Sequence, residues 1–427
     1  MKHDDLTGAE RLLREVVGGH FLPTPPDRIG VAVSGGSDST ALLTLLSDFV
    51  VETGGPSLHV VTVDHGLRPE AAGEARAVAA LAAELGHGHD TLRWTGWDGE
   101  GNLQDAARRA RYALIAEWAR AEGIGAVALG HTADDQAETV LMRLARAAGA
   151  DGLSGMRARR YHHGVLFVRP MLTLRRCDLR AVLTRKGRTW IDDPSNEDES
   201  FDRVRMRRAM DLLAPLGLTV PALASVAANS AAIRDTLDWY AFTEARACVR
   251  IEAGDVVIPL RDLRRLRPEI LRRVLIAALH WLTGAEYPPR RRAMALLAEA
   301  VRHGTDMTLH GCHAKVSRGE LRLMREARAV EGVIAAPGRP WDGRWRLTPP
   351  QGTDAPEGAE IRALGAAGLA ECPLWRDTGA PRLSLLASPA VWQGDLLVAA
   401  PAAGRPEGWT AELIRDEEAF FGFFLSH

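Results

Sequence analysis

Two short stretches of the sequence carry residues that could do chemistry together. In VAVSGGSDSTALL, residues 31–43, an apolar run breaks into Ser34, Gly35, Gly36, Ser37, Asp38 and Ser39 and returns at once to alternating small polar and apolar residues. Glycines let a ligand approach the backbone, hydroxyls donate hydrogen bonds, and a following helix adds the partial positive charge of its N-terminus. These are the parts of an anion cradle, although a serine-capped strand-to-helix turn would use the same residues. The pattern GxxxxGK[ST] is absent, so no loop lysine reaches toward a γ-phosphate and a kinase-like or ATPase-like arrangement is disfavoured. A loop that holds β- and γ-phosphates by backbone and hydroxyl groups alone suits their departure together, with attack at the α-phosphate and release of pyrophosphate.

The second stretch, GHTADDQAET at 130–139, places Asp134, Asp135 and Glu138 on the first turns of an expected helix. Thr132 and Asp135 form a T-x-x-D capping box, and acids at a helix start gain about 0.3–1 kcal/mol from the macrodipole. One carboxylate satisfies that role, and three exceed it. Asp135 and Glu138, three apart, share a face. Beside a nucleotide such carboxylates could bind magnesium, take a proton or hold a cationic substrate, and spacing alone does not rank these.

The elements that must position these groups are legible as strand and helix patterns. RIGVAVS, LHVVTVDH and AVALGH are apolar runs ending in Gly or polar turns, followed by the amphipathic stretches STALLTLLSDFV, EARAVAALAAEL and DDQAETVLMRLARAAG. Strands alternating with helices predict βαβ units and a parallel sheet, with ligands beyond the carboxyl ends of the strands. The chemistry is therefore expected just after Val33, Val63 and Leu129. QDAARRARYALIAEWARAEG, before the third strand, has helical spacing and sets Arg108 and Arg111 a turn apart.

The 427 residues are 46% hydrophobic, which excludes a disordered chain and is too long for a single core. The N-terminal MKHDDLTGAERLL has no apolar signal region and no run of about 18 apolar residues follows, so a cytoplasmic protein with no membrane partner is expected. Cys177, Cys248, Cys312 and Cys372 stand far apart with no CxxC pair, against a disulfide framework, a zinc ribbon or an iron–sulfur site. The net charge of -2 hides segregation: ten Arg and Lys residues between Arg157 and Arg188 face one acid, Asp178. Further basic clusters lie at 203–208, 261–273 and 290–292. Such stripes fit a phosphate backbone or a solvated helix face.

Three parts are expected: an α/β nucleotide-binding domain over 1–215, a mostly helical segment over 216–333, and a small β-rich C-terminal module over 334–427. The middle part contains a long helix from Pro221, the short apolar DVVIPL, two arginine-rich helices, and a hairpin in AKVSRGELRLMRE turning at Arg318 and Gly319.

SGGSDS resembles the SGGxDS signature of the PP-loop ATP-pyrophosphatase family, whose members adenylate a carbonyl oxygen and then displace AMP with a nucleophile. GHTADDQAETVLMRLARAAGADGLSGM, together with VDHGLR at 63–68, NLQDAARRARY at 102–112, RPMLTLRR at 169–176 and WIDDPSNEDESF at 190–201, is similar to the tRNA(Ile)-lysidine synthetase branch, in the same order. The match is specific over about 28–208, looser to 326 and weak beyond.

The resemblance implies ATP as co-substrate with Mg2+, free L-lysine as nucleophile, and a tRNA(Ile) with a CAU anticodon as partner. The C2 carbonyl of the wobble cytidine would be adenylated, and the lysine ε-amine would displace AMP to give lysidine. Residue by residue, Ser34 to Ser39 and Asp64 would bind ATP, with Asp38 the candidate magnesium ligand. Arg111 would bind the α-phosphate or the adenylate, and Asp135 and Glu138 would hold lysine, one of them deprotonating its amine. Asp38, Arg111, Asp135 and Glu138 form the candidate catalytic set; Arg175, Lys186, Arg203, Arg205 and Arg207 are the candidates for tRNA, and His65 and His131 would tune turns at the rim. The helical segment would also bind tRNA, the C-terminal module would contact its acceptor stem, and the resemblance allows a homodimer. In FDRVRMR, Val204 stands where the family commonly has asparagine between two arginines. A related tRNA 2-thiolase would be expected to carry CxxC pairs, an asparagine-synthetase-like amidotransferase a glutaminase cysteine before Cys177, and a non-catalytic nucleotide- or RNA-binding module would not need the four candidate catalytic residues together.

Overall fold

The computed structural model describes residues 8–66, 71–97, 103–192, 202–285 and 287–425. Packing divides the chain into two compact units, between Arg234 and Asp235.

The first unit begins with α1 (Gly8–Gly19), β1 (Arg28–Ala32), α2 (Ser37–Thr53), β2 (Ser57–Asp64), α3 (Ala71–Glu84), β3 (Gly88–Arg93), α4 (Leu103–Ala121), β4 (Ala126–Leu129) and α5 (Ala133–Ala145). It continues through α6 (Ala150–Leu153), β5 (Arg159–His162), β6 (Val165–Val168), α7 (Arg176–Arg185) and α8 (Asp202–Leu213). The strands form one sheet in the order β3-β2-β1-β4-β6-β5, parallel except at the β5 edge. Both faces are covered. Leu42, Leu45 and Leu46 of α2 and Leu179, Val182 and Leu183 of α7 pack with Ile29 and Val31 on one side, while Tyr112, Ile115 and Trp118 of α4 pack with Val61, Val127 and Phe167 on the other. A parallel sheet buried on both faces needs such continuous apolar strands.

The order of strands fixes the place of the site. From β1 the chain runs outward to β2 and β3, then returns to place β4 on the other side of β1. The loops leaving β1 and β4 therefore diverge at a topological switch point, where open α/β sheets bind ligands. β1, β2 and β4 are the three expected strands. β3 is missing from the sequence reading because GHDTLR is polar, as befits a half-exposed strand at the sheet edge. The β5–β6 hairpin, turning at His163 (φ 49°) and Gly164 (φ 78°), lies inside what reads as an arginine stripe.

The long helix α9 (Val220–Cys248) contains the division between the units. The second unit adds a five-stranded antiparallel sheet of β7 (Arg250–Glu252), β8 (Asp255–Pro259), β9 (Met307–Leu309), β10 (Cys312–Ser317) and β11 (Glu320–Arg325), in the order β7-β8-β11-β10-β9. The expected hairpin is β10–β11, with Ser317 paired to Glu320 and Arg318 and Gly319 at positive φ. The helices α10 (Leu260–Arg265), α11 (Pro268–Thr283) and α12 (Arg291–His303) accompany this sheet, and with α9 they make the middle segment mostly helical, as its sequence suggests. Phe420, Phe421 and Phe424 of the terminal helix Glu417–Leu425 enter the same core as Leu271, Val274 and Leu321. For that reason the middle and C-terminal segments pack as one unit. The C-terminal segment contributes two three-stranded antiparallel sheets, 340–341 with 345–348 and 410–413, and 359–363 with 389–393 and 396–399, around Trp341, Leu347, Ile361 and Val391. Among the described residues no single helix is long and apolar enough to cross a membrane.

Candidate active site

The loop between β1 and α2 is shaped from within. Gly35 has φ 87°, a conformation that L side chains rarely adopt, and its carbonyl accepts from the Ile191 amide at 2.9 Å and the Thr40 hydroxyl at 3.3 Å. A β-carbon there would also stand 2.8 Å from Ile191 Cδ1. Ser39 Oγ accepts from the Ser34 amide at 3.2 Å and donates to the Gly36 carbonyl at 3.1 Å, so this hydroxyl holds the loop together. Gly36 caps the 17-residue helix α2 without a side-chain hydrogen bond, and a β-carbon on it would meet no heavy atom of the described residues closer than 3.8 Å. The helix start is therefore open to an anion.

The carboxylates converge on one cation that the sequence reading did not single out. The capping box is present: Asp135 Oδ2 accepts from the Thr132 amide at 2.8 Å and the Thr132 hydroxyl at 3.0 Å. Asp134 Oδ2 accepts from the Arg176 backbone amide at 2.8 Å, which pins the start of α7 to the start of α5. The Arg176 side chain then spans three carboxylates. Its Nε donates to Asp38 Oδ2 at 2.8 Å, one terminal nitrogen reaches Asp135 Oδ1 at 3.4 Å, and the other lies 3.9 Å from Glu138 Oε1. Glu138 is fully buried; its Oε1 accepts from Arg207 Nε at 3.0 Å, while its Oε2 has no hydrogen-bond partner among the described residues.

Environment separates the two lysine-site candidates. Burial pushes the Asp135 carboxyl upward, but the Arg176 guanidinium and the Thr132 amide outweigh it and hold the group below its usual value. Burial pushes the Glu138 carboxyl up, the neighbouring Asp135 charge adds to this, and Arg207 and Arg176 only partly offset them. Asp38 is also raised, by burial opposed by Arg176. His131, buried among Arg169, Arg111 and Arg203, is pushed down to about 3 despite Asp135 and stays neutral.

Arg111 belongs to a second, cationic group. Arg108 and Arg111 lie over the Tyr112 ring, 5.3 and 5.7 Å from its centroid, and Arg169 donates to the Tyr112 hydroxyl at 3.0 Å. Burial, with the nearby Arg108, Arg203 and Arg169, lowers the Arg111 pKa against the opposing pull of Tyr112. No carboxylate among the described residues pairs with Arg111. A guanidinium held beside others without a counter-charge is suited to a phosphate.

The remaining candidates are distributed more widely. Asp64 Oδ1 accepts from the Gly66 amide at 2.8 Å, closing the turn after β2, and the residue borders a cavity of about 420 Å³ with Arg76, Thr91 and Arg93. Arg175 is exposed at the cap of α7, and Arg203 is exposed on α8. Lys186 sits at the opposite end of α7, bound to Asp48 at 2.9 Å. Arg205 pairs with Asp202, and Arg207 with Glu138. Val204 is buried, so its side chain faces the protein. In WIDDPSNEDESF, residues 193–201 lie outside the described residues.

Gly130 is a second position the sequence reading passed over. A β-carbon on it would lie 2.9 Å from Ser39 Cα, so its bare backbone lets the β4 and β1 loops touch. Both residues lie inside motifs of the sequence, Arg176 as the last residue of RPMLTLRR and Gly130 as the first of GHTADD.

A family model described as the PP-loop domain matches residues 9–212. The chain is 52% identical over 407 residues to tRNA(Ile)-lysidine synthase of Ruegeria pomeroyi, covering 95% of this chain and 96% of that protein. It is 40% identical to tRNA(Ile)-lysidine synthase of Hyphomonas neptunium, over 74% of this chain and 85% of that protein, and 39% identical to the Mesorhizobium japonicum protein of the same name, over 88% and 84%. With the glycine loop, the carboxylate cluster and the arginine group all on the PP-loop unit, the chain belongs to the tRNA(Ile)-lysidine synthase family.

Proposed function

We propose that the protein ligates L-lysine to C2 of the wobble cytidine of a CAU-anticodon tRNA(Ile), using ATP and releasing AMP and pyrophosphate. In the first step the C2 oxygen of the cytidine attacks the α-phosphorus, and the bond to the β-phosphate breaks. The open helix start at Gly36 and the loop from Ser34 to Ser39 receive the departing pyrophosphate. Arg111 stabilises charge on the α-phosphate. In the second step the lysine ε-nitrogen bonds to C2, and the C2–O bond breaks so that AMP leaves with the oxygen.

Asp135 and Glu138 divide the handling of lysine. Asp135, with both oxygens engaged and its carboxyl held low, stays ionised and holds the ammonium. Glu138, with an unpartnered oxygen and a raised carboxyl, takes the proton that the ammonium must lose before it can attack. The observation that carries this reading is the buried, unpartnered Glu138 Oε2 within the carboxylate cluster, one turn along α5 from the switch-point loop.

Mg2+ binds through one or two carboxylates with the phosphates of its nucleotide. Asp38 fits that need: one oxygen is held by Arg176, while among the described residues Oδ1 receives only the Ser37 hydroxyl at 3.3 Å. Asp38 would hold the ion, whose chemistry is to neutralise charge on the pyrophosphate. Exposed Arg175 and Arg203 are the best placed of the tRNA candidates, since Lys186, Arg205 and Arg207 each engage a carboxylate.

The test is mass spectrometry of a tRNA pool after incubation with ATP and lysine. The CAU-anticodon tRNA(Ile) gains the mass of lysine less water, and pyrophosphate release depends on that tRNA. Release without tRNA, or a gain equal to sulfur, would overturn the assignment.

A further inference from the structure

We propose that Arg176 holds the place of the substrate ammonium in the nucleotide-free protein and yields Asp135 and Glu138 to lysine only when ATP draws its guanidinium onto the phosphates, so that ATP binds before lysine. The proposal rests on the lysine-ligating reading above and concerns how that site is filled. Arg176 is here a positioning residue.

Three observations carry it. First, the cation that the carboxylate cluster is expected to bind is already represented: one guanidinium faces Asp38, Asp135 and Glu138 together. An ammonium brought to the same oxygens would meet a like charge at close range. Second, the hold is uneven. The 2.8 Å bond to Asp38 lies on the side of the phosphate loop, and the contacts on the lysine side are long, at 3.4 and 3.9 Å. A side chain fixed on the loop side and loose on the other can swing toward the loop.

Third, α7 directs two guanidiniums at that loop. One turn after Arg176, Arg180 Nε donates to Ser37 Oγ at 3.2 Å. A polyphosphate on the open start of α2 therefore enters the reach of both, and a planar guanidinium that takes a phosphate bidentately exchanges its long contacts to Asp135 and Glu138 for two short ones. When Arg176 leaves, Asp135 Oδ1 loses its partner, and with the unpartnered Glu138 Oε2 the site presents two acceptors for an ammonium.

The test is lysine binding by calorimetry, with and without α,β-methylene-ATP, which cannot be attacked to release pyrophosphate. The full-length protein should bind lysine about 10-fold or more tightly with the nucleotide, and by reciprocity lysine should raise nucleotide affinity by the same factor. In Arg176→Met, lysine affinity without nucleotide should rise to about that of the nucleotide-bound native protein, and the coupling should fall below about 3-fold. Arg176→Lys, which keeps the charge, should keep most of the coupling. If the methionine variant does not fold, the native protein still decides the matter, because equal lysine affinity with and without nucleotide overturns the proposal. Coupling that persists in a folded Arg176→Met also overturns it. If lysine binds in neither state and the tRNA gains no lysine mass, the lysine-ligating reading falls as well.

Discussion

Gly130 lies against Ser39 so closely that a β-carbon on the glycine would stand 2.9 Å from the serine Cα and 3.0 Å from its amide nitrogen. Backbone meets backbone here, so the strain of a larger residue has no flexible side chain to absorb it. This contact joins the turn after β4 to the first turn of α2, and thereby sets the carboxylates of α5 beside the phosphate loop.

Gly130→Ala should accordingly separate the two loops. Overpacking of this kind costs about 1–3 kcal/mol, and the KM for ATP should rise about 10-fold or more, equivalent to about 1.4 kcal/mol. Gly149→Ala, where an added β-carbon meets nothing within 4 Å, is the control and should leave both stability and KM near native. Thermal unfolding and tRNA-dependent pyrophosphate release read the two effects.

Glu138→Gln should leave adenylation largely intact and slow lysine transfer by about 10²–10⁴-fold, so that adenylated tRNA accumulates. Asp135→Asn should chiefly raise the KM for lysine. With Glu138 as the base, the proposed transfer step needs its ionised carboxylate, whose pKa lies above the ordinary 4.5. The transfer rate should therefore fall, as pH is lowered, through an apparent pKa above that value. Single-turnover transfer from pre-adenylated tRNA measures it, and equal loss of adenylation and transfer in Glu138→Gln would contradict the division of labour.

Asp38→Ala should abolish adenylate formation. The side chain both faces the loop and anchors Arg176, so its loss removes a candidate magnesium ligand and frees a guanidinium among the remaining carboxylates. Formation of adenylated tRNA in the absence of lysine is the measurement, and near-native adenylation would remove Asp38 from the catalytic set.

Phosphate-contacting arginines are separable from paired ones by salt dependence. Arg175→Ala and Arg203→Ala should each weaken tRNA binding and flatten the slope of log K against log salt by roughly one contact. Lys186→Ala should leave the slope unchanged, because its ammonium is held by Asp48. Filter binding over a salt series distinguishes the two outcomes.

The second unit carries its own pH dependence. Burial pushes the Asp255 carboxyl up to about 6, against hydrogen bonds from Ser384 and Arg322. In the unfolded chain the group titrates near 3.8. Between these values the folded form binds the extra proton, so stability should fall as pH rises from about 4 to 6 and level off above, by on the order of 3 kcal/mol. Asp255→Asn should flatten that slope. Urea unfolding of the native protein and the variant at pH 4.5 and 7 checks the sign.

Sequence by itself determined the three central strands, the glycine loop, the capping box at Thr132 and the β10–β11 hairpin. Each is written in short-range terms: an unbroken apolar run, a glycine at positive φ, a side chain bonding three residues on. The resemblance across 28–208 supplied the chemistry that such local signals leave open. Tertiary structure decided which groups meet. Arg176 and Asp38 are 138 residues apart, and nothing local to either tells that the return of the chain from β3 to β4 will bring α7 over the start of α2. The edge strand β3 and the sharing of one core by Phe420 and Leu271 were hidden for the same reason. Burial against distant partners, rather than local propensity, holds them, and the state of a charged group such as Glu138 follows from the neighbours that burial selects.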